Sequence, residues 1–305
     1  MEQTAKDPNN FLQRPVEALF NALPYMSLRE LLSMEQVCRE LREWVRDGVF
    51  LWRRLYVEQP LSSSLTDDVL CQLSKRSNGQ LECLCLVDCF GITEKAVELV
   101  VLRSPRLTTL FLPGCSGISA DGVVNIVKAH TDLWGAAMPC LKELKLRNIR
   151  GLTEHHLQSL LIIMGVPVVP RPVSKLRFFN EDDHQQLRHH EQRPIDVEVC
   201  PKCRDVRIVY DCTQKECQDK QECRACAFCT MRCAECGICL QEDECNETAC
   251  FDFMCLNCWL KQPKCSECNR PACRRHINNS FKEDQSTLLC WQCRDFTPSD
   301  AEYDL

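Results

Sequence analysis

The sequence predicts a multidomain chain: a small α-helical unit at the N-terminus, a short α/β repeat array in the middle, and a small irregular/β C-terminal domain stabilised by metal. Three observations carry this. Helix-capping signals and an apolar stripe crowd the first sixty residues, an LxxLxL pattern recurs three times between Leu81 and Leu146, and 19 of the 26 cysteines fall between Cys200 and Cys293. The expected segments are 1–60, 61–165, a linker over 166–194, a Cys-rich domain over 195–295 and a tail over 296–305.

At the N-terminus, Ser27-Leu28-Arg29-Glu30 is an S-x-x-E capping box and Ser33-Met34-Glu35-Gln36 an S-x-x-Q box, so a short helix followed closely by a second is expected. Val16, Leu19, Phe20 and Leu23 recur at helical spacing until Pro24, and Val37, Leu41 and Val45 continue one stripe to Asp47-Gly48. Three compact helices follow. A unit of this size buries little, and apolar side chains left outside favour a partner; the alternative is an ordinary three-helix cap that buries its stripe in its own protein.

Leu23-Pro24, Ser27-Leu28, Leu31, Val37-Cys38-Arg39 and Leu51-Trp52-Arg53-Arg54-Leu55 together resemble an F-box, spanning about Pro15 to Val57. The resemblance implies docking on the Skp adaptor, and through it a cullin, of SCF-type ubiquitin ligases, by an opening Leu-Pro turn and the apolar helix faces after it. The adaptor contacts it implies are Leu23, Pro24, Leu28, Leu31, Val37 and Trp52. The sequence departs from the pattern at Arg14-Pro15, which stands where the opening Leu-Pro is usual, and at Leu41, where a Trp is frequent. Both departures imply weaker adaptor affinity.

The middle segment repeats Leu81-Glu82-Cys83-Leu84-Cys85-Leu86, Leu107-Thr108-Thr109-Leu110-Phe111-Leu112 and Leu141-Lys142-Glu143-Leu144-Lys145-Leu146, at spacings of 26 and 34 residues. Each copy continues through Cys89, Cys115 or Ile149 into Ile92-Thr93, Ile118-Ser119 or Leu152-Thr153, and then an apolar helix stripe. This is the strand, turn and helix of a leucine-rich repeat, and it resembles the cysteine-containing subtype found behind F-boxes. A half repeat, Leu65 to Leu70, precedes the first. Because one repeat cannot bury its own face, Cys83, Cys85, Cys89 and Cys115 are expected in the core rather than on a metal. Thr131 to Pro139 is expected to loop out, with Trp134 either a contact or folded back onto the repeats.

From Gly165 to Pro194 the pattern dissolves into Pro167, Pro170, Pro172, the run Glu181-Asp182-Asp183-His184 and the pair His189-His190. Such a stretch reads as a solvated linker.

The Cys-rich segment offers twenty ligands: Cys200, Cys203, Cys212, Cys217, Cys223, Cys226, Cys229, Cys233, Cys236, Cys239, Cys245, Cys250, Cys255, Cys258, Cys265, Cys268, Cys273, His276, Cys290 and Cys293. Twenty divides into about five tetrahedral zinc sites, and CxxC turns place two thiolates on one ion. Only 24 of the 94 residues from Cys200 to Cys293 are apolar, Cys and Gly aside, too few to offset chain entropy by burial. Structural zinc contributes about 10–16 kcal/mol per site in isolated fingers, so metal removal is expected to unfold this region. The competing arrangement is a disulfide framework, which needs an oxidising compartment. Met1 to Asn10 is polar, without the apolar core of a signal peptide, and no run of eighteen apolar residues occurs.

Within that segment, Cys200-Pro201-Lys202-Cys203 reads as a zinc knuckle between two β-prone stretches, Ile195 to Val199 and Val206 to Tyr210. The six cysteines from Cys223 to Cys239 must serve neighbouring ions by alternate pairing. The last eight ligands suggest a cross-brace, Cys255/Cys258 with Cys273/His276 and Cys265/Cys268 with Cys290/Cys293. RING-type ubiquitin ligases share that topology, but their spacings differ from these. A catalytic metal would keep an open position and need a base, which this thiolate-rich set does not offer.

Charge bears on partners. The chain is acidic, net −6, and each four-thiolate zinc site adds about −2, which disfavours nucleic-acid backbones; the alternatives are a RING-like ubiquitin ligase acting through Cys255 to Cys293 and a zinc-dependent nucleic-acid-binding regulator. The order of the three parts looks like the plant Skp-interacting F-box group of the SKIP-fourteen type. That resemblance implies a non-catalytic substrate receptor of a ubiquitin ligase, intracellular in nucleus or cytoplasm, that holds a protein target with its repeats and zinc domain.

Overall fold

A computed structural model of the chain describes residues 18–135, 141–166, 176–181, 193–220, 222–277, 281–284 and 287–295. Two compact units emerge: Met1–Pro170 with Arg193–Val197, and Arg171–Gln192 with Glu198–Leu305. No helix among the described residues is long and apolar enough to cross a membrane.

The first unit opens with helical turns around Leu23–Tyr25 and then α1, Leu28–Met34, whose capping box closes in both directions: the Glu30 N–H donates to Ser27 Oγ and the Ser27 N–H to the Glu30 carboxylate. The second expected box does not form. Ser33 lies inside α1 and its hydroxyl donates back to the Arg29 carbonyl at 2.9 Å, the local competition that serine offers in mid-helix. Helix α2, Arg39–Asp47, is capped instead by the Cys38 sulfur, which accepts the Leu41 N–H. Trp52 is buried, donates its indole N–H to the Val45 carbonyl at 2.8 Å and carries the Arg76 guanidinium 4.5 Å from its ring. Arg76 in turn pairs with the buried carboxylate of Glu35, which also meets Arg46.

The helical tip runs straight into a sheet. Arg54–Val57, expected as the end of the helical unit, is strand β1, and it pairs in parallel with β2 (Cys83–Leu86), followed by β3 (Thr109–Phe111) and β4 (Glu143–Lys145). Helices α3 (Asp67–Lys75), α4 (Glu94–Leu102), α5 (Ala120–Trp134) and α6 (Glu154–Ile163) connect or follow these strands. The register aligns Leu55, Leu84, Leu110 and Leu144 in one row, and all nine leucines of the three LxxLxL segments are buried. Past each of the last three strands the chain turns through a left-handed residue, Asp88 (φ 51), Gly114 (φ 72) or Asn148 (φ 62). These are residue types that tolerate that conformation. A Cβ at Gly114 would also displace the Asp88 carboxylate.

Successive helices are tied at their N-termini. Asp67 accepts the N–H and hydroxyl of Thr93 at 2.9 and 2.7 Å, Glu94 accepts the Ser119 N–H at 2.7 Å, and Asp121 meets His156 Nε2 at 3.0 Å. Beyond β4, the Leu144 N–H donates to the Pro194 carbonyl, the Asp196 N–H returns to the Leu144 carbonyl, and Asp196 Oδ1 accepts the Leu146 N–H at 2.7 Å. Ile195 to Val197 thus belongs to this sheet, and of the stretch expected to open the Cys-rich domain only Glu198–Val199 lies in the second unit. Helix α5 extends through Trp134, whose indole N–H donates to the Leu102 carbonyl; the expected loop therefore starts later, and its residues 136–140 lie outside the described ones. So do His184, His189 and His190 of the expected linker.

The second unit is built from strand pairs of two to four residues. β5 (Glu198–Val199) pairs with β6 (Val206–Arg207), β7 (Val209–Tyr210) with β8 (Ala225–Cys226), β9 (Asn246–Glu247) with β10 (Phe253–Met254), and β11 (Phe281–Asp284) with β12 (Thr287–Cys290), all antiparallel. The short helices are α7 (Lys215–Lys220), α8 (Leu256–Lys261) and α9 (Trp291–Asp295). Isolated hairpins of this length are not stable in water. Their buried clusters are small, Leu240 and Met254, Ala249 and Ala272, Val209 and Ala225, and each contains cysteine sulfurs.

Candidate metal centres

Three turns of one design recur in this unit. In Cys200-x-x-Cys203, Cys233-x-x-Cys236 and Cys265-x-x-Cys268, the residue after the second cysteine is left-handed: Arg204 (φ 67), Gly237 (φ 74) and Asn269 (φ 56). Its N–H donates to the carbonyl of the first cysteine at 2.9 Å each time. The turn points both sulfurs the same way. At the middle turn a Cβ on Gly237 would also lie 2.8 Å from Asn180 Oδ1 and shift that side chain.

Opposing residues complete five groups whose ligand atoms lie within 4.8 Å of one another: Cys200, Cys203, Cys226 and Cys229; Cys212, Cys217, Cys223 and Cys239; Cys233, Cys236, Cys255 and Cys258; Cys250, Asp252, Cys273 and His276; and Cys265, Cys268, Cys290 and Cys293. Each could hold a metal ion. Sulfur–sulfur separations are 3.8 Å between Cys212 and Cys239, Cys217 and Cys239, Cys236 and Cys255, and Cys268 and Cys290. A tetrahedron with metal–sulfur bonds of about 2.3 Å has edges of about 3.8 Å, whereas a disulfide needs about 2.05 Å. Every described cysteine is free.

In each group one sulfur is drawn towards the thiolate while neighbouring thiols are pushed up. Burial alone would push the Cys200 thiol up, but N–H groups of Cys203, Cys226 and Lys202 outweigh it and bring the thiol down to about 6. Cys265 reaches about 6 in the same way, burial being overcome by the N–H groups of Cys268, Cys290 and Glu267. The Cys273 thiol, opposed by burial and helped by the Cys273 and Asp252 N–H groups and the Thr248 hydroxyl, brings Cys250 down to about 5. The thiolate is the form that binds metal. Beside the second group lies Arg232, a buried guanidinium whose Nη2 donates to the Tyr210 and Cys223 carbonyls while Nε and Nη1 have no hydrogen-bond partner. It places a cation against the most thiolate-crowded part of the chain.

Nineteen of the twenty expected ligands fall into these groups. Cys245 does not: its sulfur meets the Gln241 carbonyl at 3.2 Å and the Met231 sulfur at 3.7 Å. Asp252 takes the twentieth place, and nothing in the sequence marks it among 43 acidic residues. Of the expected cross-brace, Cys265/Cys268 does face Cys290/Cys293, but Cys255/Cys258 faces Cys233/Cys236, and Cys273/His276 faces Cys250/Asp252. The last eight ligands therefore do not form a two-site RING module. Instead, the ligands of each group interleave along the chain with those of the next, so all five are threaded in series. Cys83, Cys85, Cys89 and Cys115 are buried in the first unit, outside every group.

The six expected adaptor contacts divide. Leu23, Leu28, Leu31 and Trp52 are buried in the unit's own core, whereas Pro24 and Val37 are exposed, Val37 at 65%. Around them Tyr25 is 91% exposed, and Phe20 and Phe50 are exposed at 40% and 44% with their rings in edge contact.

An F-box-like family model matches residues 15–58, and a model of the C-terminal domain of the At3g27290 F-box protein matches residues 196–267. F-box protein SKIP28 of Arabidopsis thaliana is 38% identical over 266 residues, which cover 85% of this chain and 81% of that protein. The chain belongs to the plant SKIP-type F-box proteins. F-box protein SKIP14 of the same plant is 33% identical over 241 residues, covering 77% of this chain, and F-box protein At3g27290 is 32% identical over 248 residues, covering 79%. The matched part is 52% of SKIP14 and 64% of At3g27290, so the chain spans about half to two thirds of the length of those two F-box relatives. The C-terminal family model stops at residue 267, before Cys268, Cys273, His276, Cys290 and Cys293.

Proposed function

We propose that this chain is the substrate-recognition subunit of an SCF-type ubiquitin ligase, docking on a Skp adaptor and through it a cullin. The observation that carries the proposal is an F-box-like unit that leaves Phe20, Pro24, Tyr25, Val37 and Phe50 exposed while Leu23, Leu28, Leu31, Leu41, Val45 and Trp52 are buried. Isolated exposed apolar side chains are ordinary, but several within one small unit favour a protein partner. In this proposal the strand–helix units are leucine-rich repeats, the five groups hold about five structural zinc ions, and repeats and zinc domain present the target. Closed four-donor sites leave no open coordination position. Catalysis is then supplied by other subunits through proximity, and the protein works inside the cell, in nucleus or cytoplasm.

The test is capture of purified Skp adaptor by the full chain. Tyr25→Asp with Val37→Asp should abolish capture while leaving the thermal transition unchanged, because both side chains are exposed. Asp at Leu28 or Leu31 is uninformative, since a charge buried in that core unfolds it. A parent chain that captures no adaptor, or a double variant that captures as well as the parent, overturns the docking proposal.

A further inference from the structure

The fourth group differs from the other four in its donors and in its place. Asp252 Oδ2 lies 2.9 Å from His276 Nδ1, 2.9 Å from the Cys273 sulfur and 3.7 Å from the Cys250 sulfur, and the Cys273 sulfur is 3.3 Å from the same His276 Nδ1. In a Cys-His-Asp relay the thiol would face one ring nitrogen and the carboxylate the other. Here both face Nδ1, the geometry of four donors around one ion. Between two of the ligands, Phe251 is left-handed at φ 64, a conformation unusual for a bulky residue. Strain of this kind persists where the surroundings over-determine it.

We propose that Cys250, Asp252, Cys273 and His276 form a mixed zinc site that exchanges its ion before the four all-cysteine sites do, and so latches residues 265–293 to the rest of the domain. The proposal rests on the zinc reading given above. Two thiolates, an imidazole and a carboxylate make a harder donor set than four thiolates, and one less suited to zinc in competition with a soft chelator. Its position makes the loss consequential. Cys250 and Asp252 precede Cys255 and Cys258 of the third group, while Cys273 and His276 lie between the two ligand pairs of the fifth. The Phe251 ring also meets the edge of Trp291, 6.1 Å away between Cys290 and Cys293. Emptying this site removes the one interleaving link between the third and fifth groups.

The experiment is metal counting by native mass spectrometry on the zinc-loaded full chain under a limiting chelator, together with thiol labelling. Wild type should pass through a species lacking one ion, with Cys250 and Cys273 the first thiols labelled. Asp252→Ala should be isolated one ion short, whereas Asp252→Cys should keep the full complement and slow the first loss by about tenfold or more, the scale on which altered ligand support changes metal affinity. The proposal is overturned if Asp252→Ala retains as many ions as wild type, or if Asp252→Cys loses its first ion as fast as wild type and from the same thiols. A wild-type chain that binds no zinc would instead remove the zinc reading itself, and this site with it.

Discussion

His130 lies buried in α5, its Nε2 3.2 Å from the Ser104 carbonyl. Burial, only partly offset by that carbonyl, holds its pKa below the usual imidazole value, so in the folded chain the ring stays neutral and donates Nε2–H. Once unfolded, the same ring takes a proton below about pH 6.5. Stability rises with pH wherever the unfolded state binds more protons. The contribution of His130 is therefore complete above that pH and is lost as pH falls towards the depressed folded value. Hydrogen exchange at α5 should show protection declining as pH drops through this window, and His130→Gln, which keeps an N–H donor but does not titrate there, should flatten the decline. An unchanged slope in the variant would assign the acid sensitivity to another group. Trp52 makes a related point about single residues. Its sequence context marks the family, and its ring is held within the fold by the Val45 carbonyl and by Arg76, which Glu35 pairs in turn.

Between residues and the whole lie the carboxylates that tie each helix start to the next. Asp67 satisfies the Thr93 N–H and hydroxyl, and Glu94 satisfies the Ser119 N–H. A hydrogen bond of this kind contributes about 1 kcal/mol net. Asp67→Ala and Glu94→Ala should each lower stability by about that amount, read as a shift in urea midpoint at constant slope; no shift would mean that the helices stack without help from these links. This ladder was not legible in the sequence, because its partners are 25 or 26 residues apart and are exposed polar types that occur everywhere. The leucine rows were legible, since period and burial coincide. The capping box at Ser27 was legible, whereas the one expected at Ser33 does not form, as a serine can equally bond back into its own helix. Arg54–Val57 was missed as a strand because only pairing with Cys83–Leu86 makes it one. Ligand types were clear from CxxC spacing, while their partners followed from strand pairing that no local signal carries, so the exchange of Cys245 for Asp252 was invisible.

The two units stand on different physics. The first buries rows of leucine and valine, whereas the second has small clusters in which sulfur replaces hydrocarbon. A domain of about a hundred residues has a net stability of about 5–15 kcal/mol, and a single structural zinc contributes about 10–16 kcal/mol. With zinc in the five groups, as proposed above, the loss of one or two ions would be comparable with everything that holds the second unit together, and the serial interleaving of the groups would pass the loss from each site to the next. Excess chelator should therefore abolish amide protection from Glu198 onward while the strands and helices before Gly165 keep theirs, with helical circular dichroism largely retained. Adding zinc back in reducing buffer should restore the lost protection. Simultaneous loss in both units would show that the first also depends on the ions, and retention in both would mean that the second unit folds by burial alone, against the scarcity of apolar residues between Cys200 and Cys293.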